Sequence, residues 1–284
     1  MELFRALGSL AEAPASDGGA IAEALELGAL PDAASHSDLF DQQLPPYASV
    51  YLGPEGMLGG EARDRIAGFW RALDLTPPEE SDHITTMLAF YARLGELEAE
   101  ADPGVATAAW QRSRAAYLWE HLVSWLPMYL ARVSDIGSPF YVEWAGLLAD
   151  ALRSEAISLP EPDRLPLHLR EAPAPVDPRE EGLEAFERAL LTPVRSGFIL
   201  TRADLGRAAR TLDLGLRLVE RPRVLRTLFA QDSGATLDWL AAEADAWTHR
   251  HREWLDVAPL LAEFWTGRAT RTSMLLGSLR DADP

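Results

Sequence analysis

Apolar and aromatic side chains recur along this chain every three and four residues, which is the spacing of one face of an α-helix. Ile66, Phe69, Trp70 and Leu73 form one such stripe. The same spacing recurs near residues 84–91, 118–129, 141–152 and 237–255. No segment sustains the alternation of apolar and polar residues that is typical of a half-buried strand. The pattern therefore predicts an all-α protein.

Local signals predict where several of these helices begin. Ser81 is a predicted N-cap for the helix that carries His83, because a serine hydroxyl can accept a bond from an unpaired backbone N–H. Thr201 followed by Asp204 is typical of a capping box. Pro127 lies inside an apolar stripe, so the helix there is expected to kink or restart.

A proline-rich stretch divides the chain. Six prolines fall between residues 159 and 178, and proline disfavours helix both at its own position and at the residue before it. We therefore predict five segments: a flexible N-terminus (1–18), a helical body (19–156), a proline-rich linker (157–182), an additional C-terminal helical segment (183–266) and a tail (267–284).

The charge of the chain limits its partners. The 26 basic residues are all arginine, and 44 acids give a net charge of −18. Such a surface repels nucleic acid and an anionic membrane, and it favours a basic or apolar protein segment as partner. Simple solubility is the alternative explanation. The N-terminus lacks the pattern of a secretory signal and no apolar run is long enough to span a membrane, so a cytoplasmic location is expected.

Residue types that commonly carry catalysis or cofactors are absent or unsupported. The chain has no cysteine, which excludes disulfides and thiolate metal sites. The glycine-rich run at residues 53–60 lacks the lysine of a phosphate-binding loop and reads as a turn before a helix near Glu61. Asp245 and His249 share one helical face, but no third metal ligand is evident. From these residues we predict no cofactor and no metal site, and no catalytic motif is evident.

Two short segments could serve either a structural role or a binding role. Pro45-Pro46 is followed by rings at Tyr47 and Tyr51, which suits either a packed core or a peptide-binding groove. The run from residue 79 to residue 83, Glu-Glu-Ser-Asp-His, suits either helix capping or a contact with a ligand, and Asp82 is expected to interact with the helix dipole.

These segments, in this order, resemble the TorD/DmsD/NarJ family of redox-enzyme maturation chaperones. The resemblance runs from about Asp38 to Leu152 and rests on five elements: Asp38-Leu39-Phe40, Pro45 to Leu52, Glu79 to His83, Glu120 to Pro127 with His121 and Trp125, and Ser138 to Tyr141. It implies a TorD-like helical bundle without catalytic activity.

The resemblance also implies a partner. Such proteins bind the twin-arginine signal peptide or the unfolded catalytic subunit of a molybdopterin-containing oxidoreductase, and they assist cofactor insertion before export or assembly. The client-binding residues it implies here are Leu39, Phe40, Tyr47, Tyr51, Glu80, Asp82, His83, His121 and Trp125, with the aromatic rings exposed in a groove. Either a monomer or a homodimer is compatible with the sequence.

Two other functions remain open at this point. One is an all-helical adaptor or regulator, whose docking surface would be a basic zone of seven arginines at positions 202, 207, 210, 217, 221, 223 and 226. The other is a helical enzyme that uses clustered acids and a divalent metal, although no suitable pair of acid-rich helices is visible.

Overall fold

The periodic apolar segments form helices at the predicted positions. The computed structural model describes residues 1–14, 18–215 and 220–282, and within these ranges the chain is all-α, with one isolated antiparallel bridge and no strand. The all-α prediction is confirmed. The chain divides into two compact units, the first formed by residues 1–53 and 57–166 and the second by residues 54–56 and 167–284.

The first unit is built around one central helix. Its helices are α1 (Glu2–Ser9), α2 (Gly18–Ala24), α3 (Ala33–Ser37), α4 (Ala48–Leu52), α5 (Gly60–Ala72), α6 (Ile84–Glu100), α7 (Val105–Tyr117), α8 (Leu126–Ile136) and α9 (Pro139–Ser158), with π-helical turns at Asp38–Gln43 and Leu118–Leu122. Helix α6 packs against α1 and α7, and α9 packs against α8 and α1.

Helix α1 belongs to the core of the first unit. Phe4 and Leu7 are buried, and the indole N–H of Trp144 on α9 donates to the carbonyl oxygen of Leu7 over 2.9 Å. The prediction of a flexible segment at residues 1–18 is therefore wrong for the residues that form α1, because these apolar side chains complete the core. Residues 15–17 lie outside the described residues.

A partly buried ionic network connects three helices of this unit. Arg114 on α7 donates to Glu98 on α6 over 2.6 Å and also pairs with Glu155 on α9. The phenol of Tyr91 donates to the same Glu155 carboxylate. Charge-assisted bonds of this kind fix the relative register of the helices in addition to the apolar packing between them.

The second unit contains a long pair of packed helices. Its helices are α10 (Leu167–Arg170), α11 (Pro178–Glu181), α12 (Leu183–Leu190), α13 (Pro193–Ser196), α14 (Arg202–Thr211), α15 (Arg221–Gln231), α16 (Ser233–Arg252) and α17 (Pro259–Ala282), and α16 packs along α17.

The ends of the second unit differ from the predicted segments. Residues predicted as a tail from 267 onwards continue α17 to Ala282, with Leu276 buried. Part of the predicted linker also belongs to this unit, because Arg268 on α17 donates to the carbonyl oxygens of Ala172 and Pro173. The boundary between the units, after residue 166, falls inside the predicted proline-rich linker.

Two of the three predicted helix starts are confirmed. The capping box of Thr201 and Asp204 is complete at the start of α14, and α8 begins at Leu126 with Pro127 in its first turn. The prediction for Ser81 is wrong. The N-cap of α6 is His83, whose side chain accepts from the backbone N–H of Thr85.

His251 occupies the centre of the second unit. Its ring lies between Trp247 and Trp265, and its Nε2 is 2.7 Å from the carbonyl oxygen of Gly197. Burial lowers the pKa of His251 to about 4, so the ring is neutral at pH 7 and its Nε2–H donates to that carbonyl. Gly197 has φ +81°, a conformation that favours glycine.

This burial predicts a specific loss of stability in mild acid. Because the folded pKa lies below the ordinary value of about 6.5, the unfolded chain binds the extra proton, and stability falls as pH drops from about 6.5 towards 4. Between pH 7 and pH 5, His251 contributes a loss of about 2 kcal/mol. Urea unfolding of the wild type and of His251→Gln at both pH values measures this contribution. An equal pH dependence in the two proteins would contradict it.

Candidate functional site

A short antiparallel bridge joins the segment before α4 to the segment before α6. Tyr47 pairs with His83 in this bridge. The backbone N–H of Ala48 donates to the carbonyl oxygen of Asp82 over 2.9 Å, and that of Ile84 donates to the carbonyl oxygen of Pro46 over 2.8 Å. The two segments that the sequence singled out are therefore held side by side, although 35 residues of chain lie between Tyr47 and His83.

Asp82 caps α4 from this neighbouring segment. Its side chain is 2% exposed and accepts a hydrogen bond from the backbone N–H of Ser49 over 3.2 Å. Together with the bond from Ala48 to the Asp82 carbonyl, this satisfies two N–H groups in the first turn of α4. Within the described part of the chain, no arginine or histidine forms an ion pair with the Asp82 carboxylate. Asp82 thus precedes α6 and supports α4, which differs from the predicted contact with the dipole of its own helix.

Three side chains of the bridge region reach the surface, and we call Tyr47, Glu80 and His83 the surface cluster. The phenol of Tyr47 donates to the Glu80 carboxylate over 2.9 Å. The rings of Tyr47 and His83 meet edge to face, with centroids 4.8 Å apart. Glu79 is exposed beside Glu80. Together with the adjacent Glu79, the cluster therefore offers an aromatic ring, an imidazole and two carboxylates.

The protonation states of the cluster follow from its partial burial. Burial and the nearby Glu80 carboxylate raise the pKa of Tyr47 to about 12, so its phenol stays a donor. Burial lowers the pKa of His83, although the acids Glu80, Glu12 and Asp82 oppose this effect. Since the neutral ring accepts at Nδ1 from Thr85, its proton lies on Nε2 and is available to an external acceptor.

The rings predicted to line an open groove lie in the core instead. Tyr51 stacks on Trp125 with centroids 5.2 Å apart, and its phenol donates to the carbonyl oxygen of Pro45 over 2.9 Å. Leu39 and Phe40 are also buried, Phe40 against Tyr141 and Trp144. The prediction of an exposed aromatic groove is wrong for these four residues, because helices distant in sequence pack over them.

His121 is buried as well. It lies against Phe69 and Tyr117, and burial lowers its pKa to about 3, so the ring is neutral. Its carbonyl oxygen accepts from the indole N–H of Trp125 over 2.8 Å. Of the nine predicted client-binding residues, the structure leaves Tyr47, Glu80 and His83 accessible and buries the other six.

Ser49 helps to build this site, although it was not among the predicted site residues. Ser49 accepts from the backbone N–H of Gly59 through its hydroxyl, and it donates its own N–H to Asp82. A serine between two tyrosines carries no recognisable signal in sequence, because its role depends on which segment packs beside it.

Other candidate sites are not assembled. Among the described residues, no group of three His, Asp or Glu side chains is placed to hold a metal ion, and His249 is exposed whereas His251 is buried. In the same part of the chain, no helix combines the length and the apolar character needed to cross a membrane.

The predicted basic zone is partly neutralised by acids of its own unit. Arg207 pairs with Glu243 over 2.8 Å, and Arg226 pairs with the buried Glu187 over 2.7 Å. Arg217 lies outside the described residues. These pairs weaken the interpretation of the zone as a docking surface for an acidic partner.

The capping role of Asp82 predicts the effect of removing its charge. Asp82→Asn places an amide in a buried position and weakens the bond from Ser49, so the free energy of unfolding should fall by about 1–3 kcal/mol. Urea unfolding measures this change. The exposed Glu79→Gln is the matched control and should stay within about 0.5 kcal/mol of the wild type. Equal stability of both variants would refute the capping role.

Comparison with known proteins finds one matching family and several relatives that are named chaperone protein TorD. Residues 8–131 match the family described as nitrate reductase delta subunit. The chaperone protein TorD of Psychrobacter sp. (strain PRwf-1) is 32% identical over 142 residues, which cover 47% of this chain and 59% of that protein. The chaperone protein TorD of Vibrio vulnificus (strain YJ016) is 30% identical over 96 residues, or 32% of this chain and 44% of that protein.

A third relative, the chaperone protein TorD of Shewanella pealeana (strain ATCC 700345 / ANG-SQ1), is 28% identical over 123 residues, which cover 39% of this chain and 51% of that protein. The chain spans about half the length of the curated relatives it matches. No solved structure matches the chain. The family match falls in the first unit apart from residues 54–56, and it contains the whole bridge region. By this match and these relatives, part of the first unit is similar to the nitrate reductase delta subunit family and to chaperone proteins named TorD.

Proposed function

We propose that this protein is a cytoplasmic chaperone for a molybdopterin-containing oxidoreductase. It binds the twin-arginine signal peptide or the apo form of the catalytic subunit, and it assists cofactor insertion before export or assembly. It acts by binding alone, with no catalytic step and no cofactor of its own. The observation that carries the proposal is the surface cluster, held in place by the bridge on the acidic unit of the chain.

The distribution of charge supports a basic client. The first unit has 10 arginines against 25 acids, a net charge of −15, whereas the second has 16 arginines against 19 acids, a net charge of −3. Most of the negative charge of the chain therefore lies on the unit that carries the surface cluster. A client with a basic end is drawn to this unit, and the attraction weakens as salt rises.

The surface cluster can make the contacts that such a peptide needs. Glu79 and Glu80 can each accept paired bonds from an arginine guanidinium, which matches a carboxylate in geometry as well as charge. The Nε2–H of His83 can donate to a backbone carbonyl of the client. The ring of Tyr47 offers a face on which a guanidinium can stack.

The buried residues have a supporting role in this proposal. Tyr51 and Trp125 pack beneath the segment that carries Tyr47, and Asp82 fixes the start of α4 beside it. They hold the cluster in its bound geometry before the client arrives, which lowers the ordering cost of binding. Because the contacts are exposed, we expect a micromolar affinity, which allows the client to be released.

A peptide-binding experiment tests the proposal. The probe is a synthetic peptide with two adjacent arginines followed by an apolar stretch, and its affinity is measured by fluorescence anisotropy at several salt concentrations. Glu79→Gln with Glu80→Gln should weaken binding about tenfold at low salt and reduce the salt dependence, because two charged acceptors are lost.

An equivalent pair of glutamates provides the control. Glu180 and Glu181 are also adjacent and exposed but belong to the second unit. Their replacement by glutamine removes the same charge and should leave binding within about twofold of the wild type. An equal effect of both double variants would contradict recognition by the surface cluster and would favour an adaptor that attracts basic segments by overall charge.

A further inference from the structure

Two adjacent apolar side chains are exposed close to the bridge. Met57 is 65% exposed and Leu58 is 63% exposed, and both lie in the loop before α5. Single exposed apolar residues are common on protein surfaces. Two consecutive large ones, placed between Gly56 and Gly59, form a small apolar projection that nothing in the fold of the first unit requires.

This projection is attached to the same frame as the surface cluster. The backbone N–H of Gly59 donates to the hydroxyl of Ser49 over 3.0 Å, and the N–H of Ser49 donates to Asp82 over 3.2 Å. Leu58 is covalently joined to Gly59, so its Cα lies about 4 Å from that of Gly59. Ser49 in turn is two residues from Tyr47. The apolar pair therefore lies a few residues' length from the surface cluster.

The backbone after the projection has a defined conformation. Gly59 has φ +82° and Gly60 has φ +68°, in the region that side chains other than glycine rarely adopt. Together with the bond to Ser49, these two glycines set the direction in which the loop enters α5. The loop thus holds Met57 and Leu58 outward through its backbone geometry.

We propose that Met57 and Leu58 form the apolar half of the client-binding surface. They contact the apolar stretch of a peptide whose basic end lies on Glu79 and Glu80. The inference rests on the proposed function and deepens it, because it assigns the apolar contact that the buried rings cannot make.

Charge and length support this occupant. Asp64 near the start of α5 is paired with Arg63, so the positive charge of the occupant is expected to lie on Glu79 and Glu80 and in the field of the acidic first unit, and not at the loop itself. An extended peptide advances about 3.3 Å per residue, so a short stretch of client can contact both the surface cluster and the loop, which are linked through Ser49. Methionine is flexible and adapts its shape to different apolar partners, which suits variable client sequences.

The test separates the apolar contact from the charged one. Two peptides are compared by fluorescence anisotropy, one with two arginines followed by an apolar stretch and one in which serines replace that stretch. Met57→Gln with Leu58→Gln should weaken binding of the apolar peptide about tenfold, since apolar area near these residues is no longer removed from water. Binding of the serine peptide should not change.

Two further variants control for exposure and for shape. Val105 and Ile157 belong to the same unit and are 86% and 74% exposed, so Val105→Gln with Ile157→Gln removes a similar exposed apolar area and should not alter binding. The exchange Met57→Leu with Leu58→Met keeps the apolar character and should retain wild-type affinity. Equal affinity of the wild type and of the glutamine variant at Met57 and Leu58 would overturn the inference and leave the proposed function standing.

Three other outcomes would also overturn it. If sedimentation shows that the wild type self-associates and that replacing Met57 and Leu58 by glutamine abolishes this, the projection is a contact between copies of the chain. If the wild type binds neither peptide, the proposed function fails, and this inference fails with it. Loss of binding only in the variant of Glu79 and Glu80 would support the charged contact and reject the apolar one.

Discussion

The pairing of residues 46–48 with residues 82–84 is the interaction on which the candidate site depends. Two backbone bonds and the Asp82 side chain join the start of α4 to the start of α6. Without them, Tyr47 and His83 would belong to separate loops. Asp82 is buried and its carboxylate accepts the backbone N–H of Ser49 in α4, so the geometry of the surface cluster is sensitive to the packing around Asp82.

The unequal charge of the two units determines which of them attracts a basic segment. The first unit is strongly acidic and the second is close to neutral, so a basic segment meets an attractive field mainly around the first. In the second unit, arginines are used internally. Arg226 compensates a buried glutamate, and Arg268 holds the segment that leads into this unit. The same residue type that a client would present to the first unit thus serves stability in the second.

The fold was more predictable from sequence than the site. Helices follow from the 3.6-residue spacing, and the starts at Pro127 and Thr201 follow from local chemistry that acts within one turn. The exposure of Tyr51 and Trp125 depends instead on the packing of helices distant in sequence, and the same spacing fits both a core and a groove. The N-cap moved from Ser81 to His83 because the bridge holds the backbone of Asp82 against α4. Among the features that were predicted wrongly, the N-terminal helix did carry a usable signal, since Phe4 and Leu7 lie on one helical face.

Burial of the aromatic rings changes how recognition can work in this protein. An exposed groove of large rings would bind apolar segments tightly and with little selectivity, because the gain grows with the apolar area removed from water. Here the rings stabilise the frame, and the accessible groups are two carboxylates, an imidazole, one partly exposed phenol and a small apolar loop. Under the proposed function each of these would contribute modestly, so appreciable affinity would require a client that engages the charged and the apolar parts together. Selectivity would then come from the spacing between a basic end and an apolar stretch, which is a property of the client sequence rather than of its total hydrophobicity.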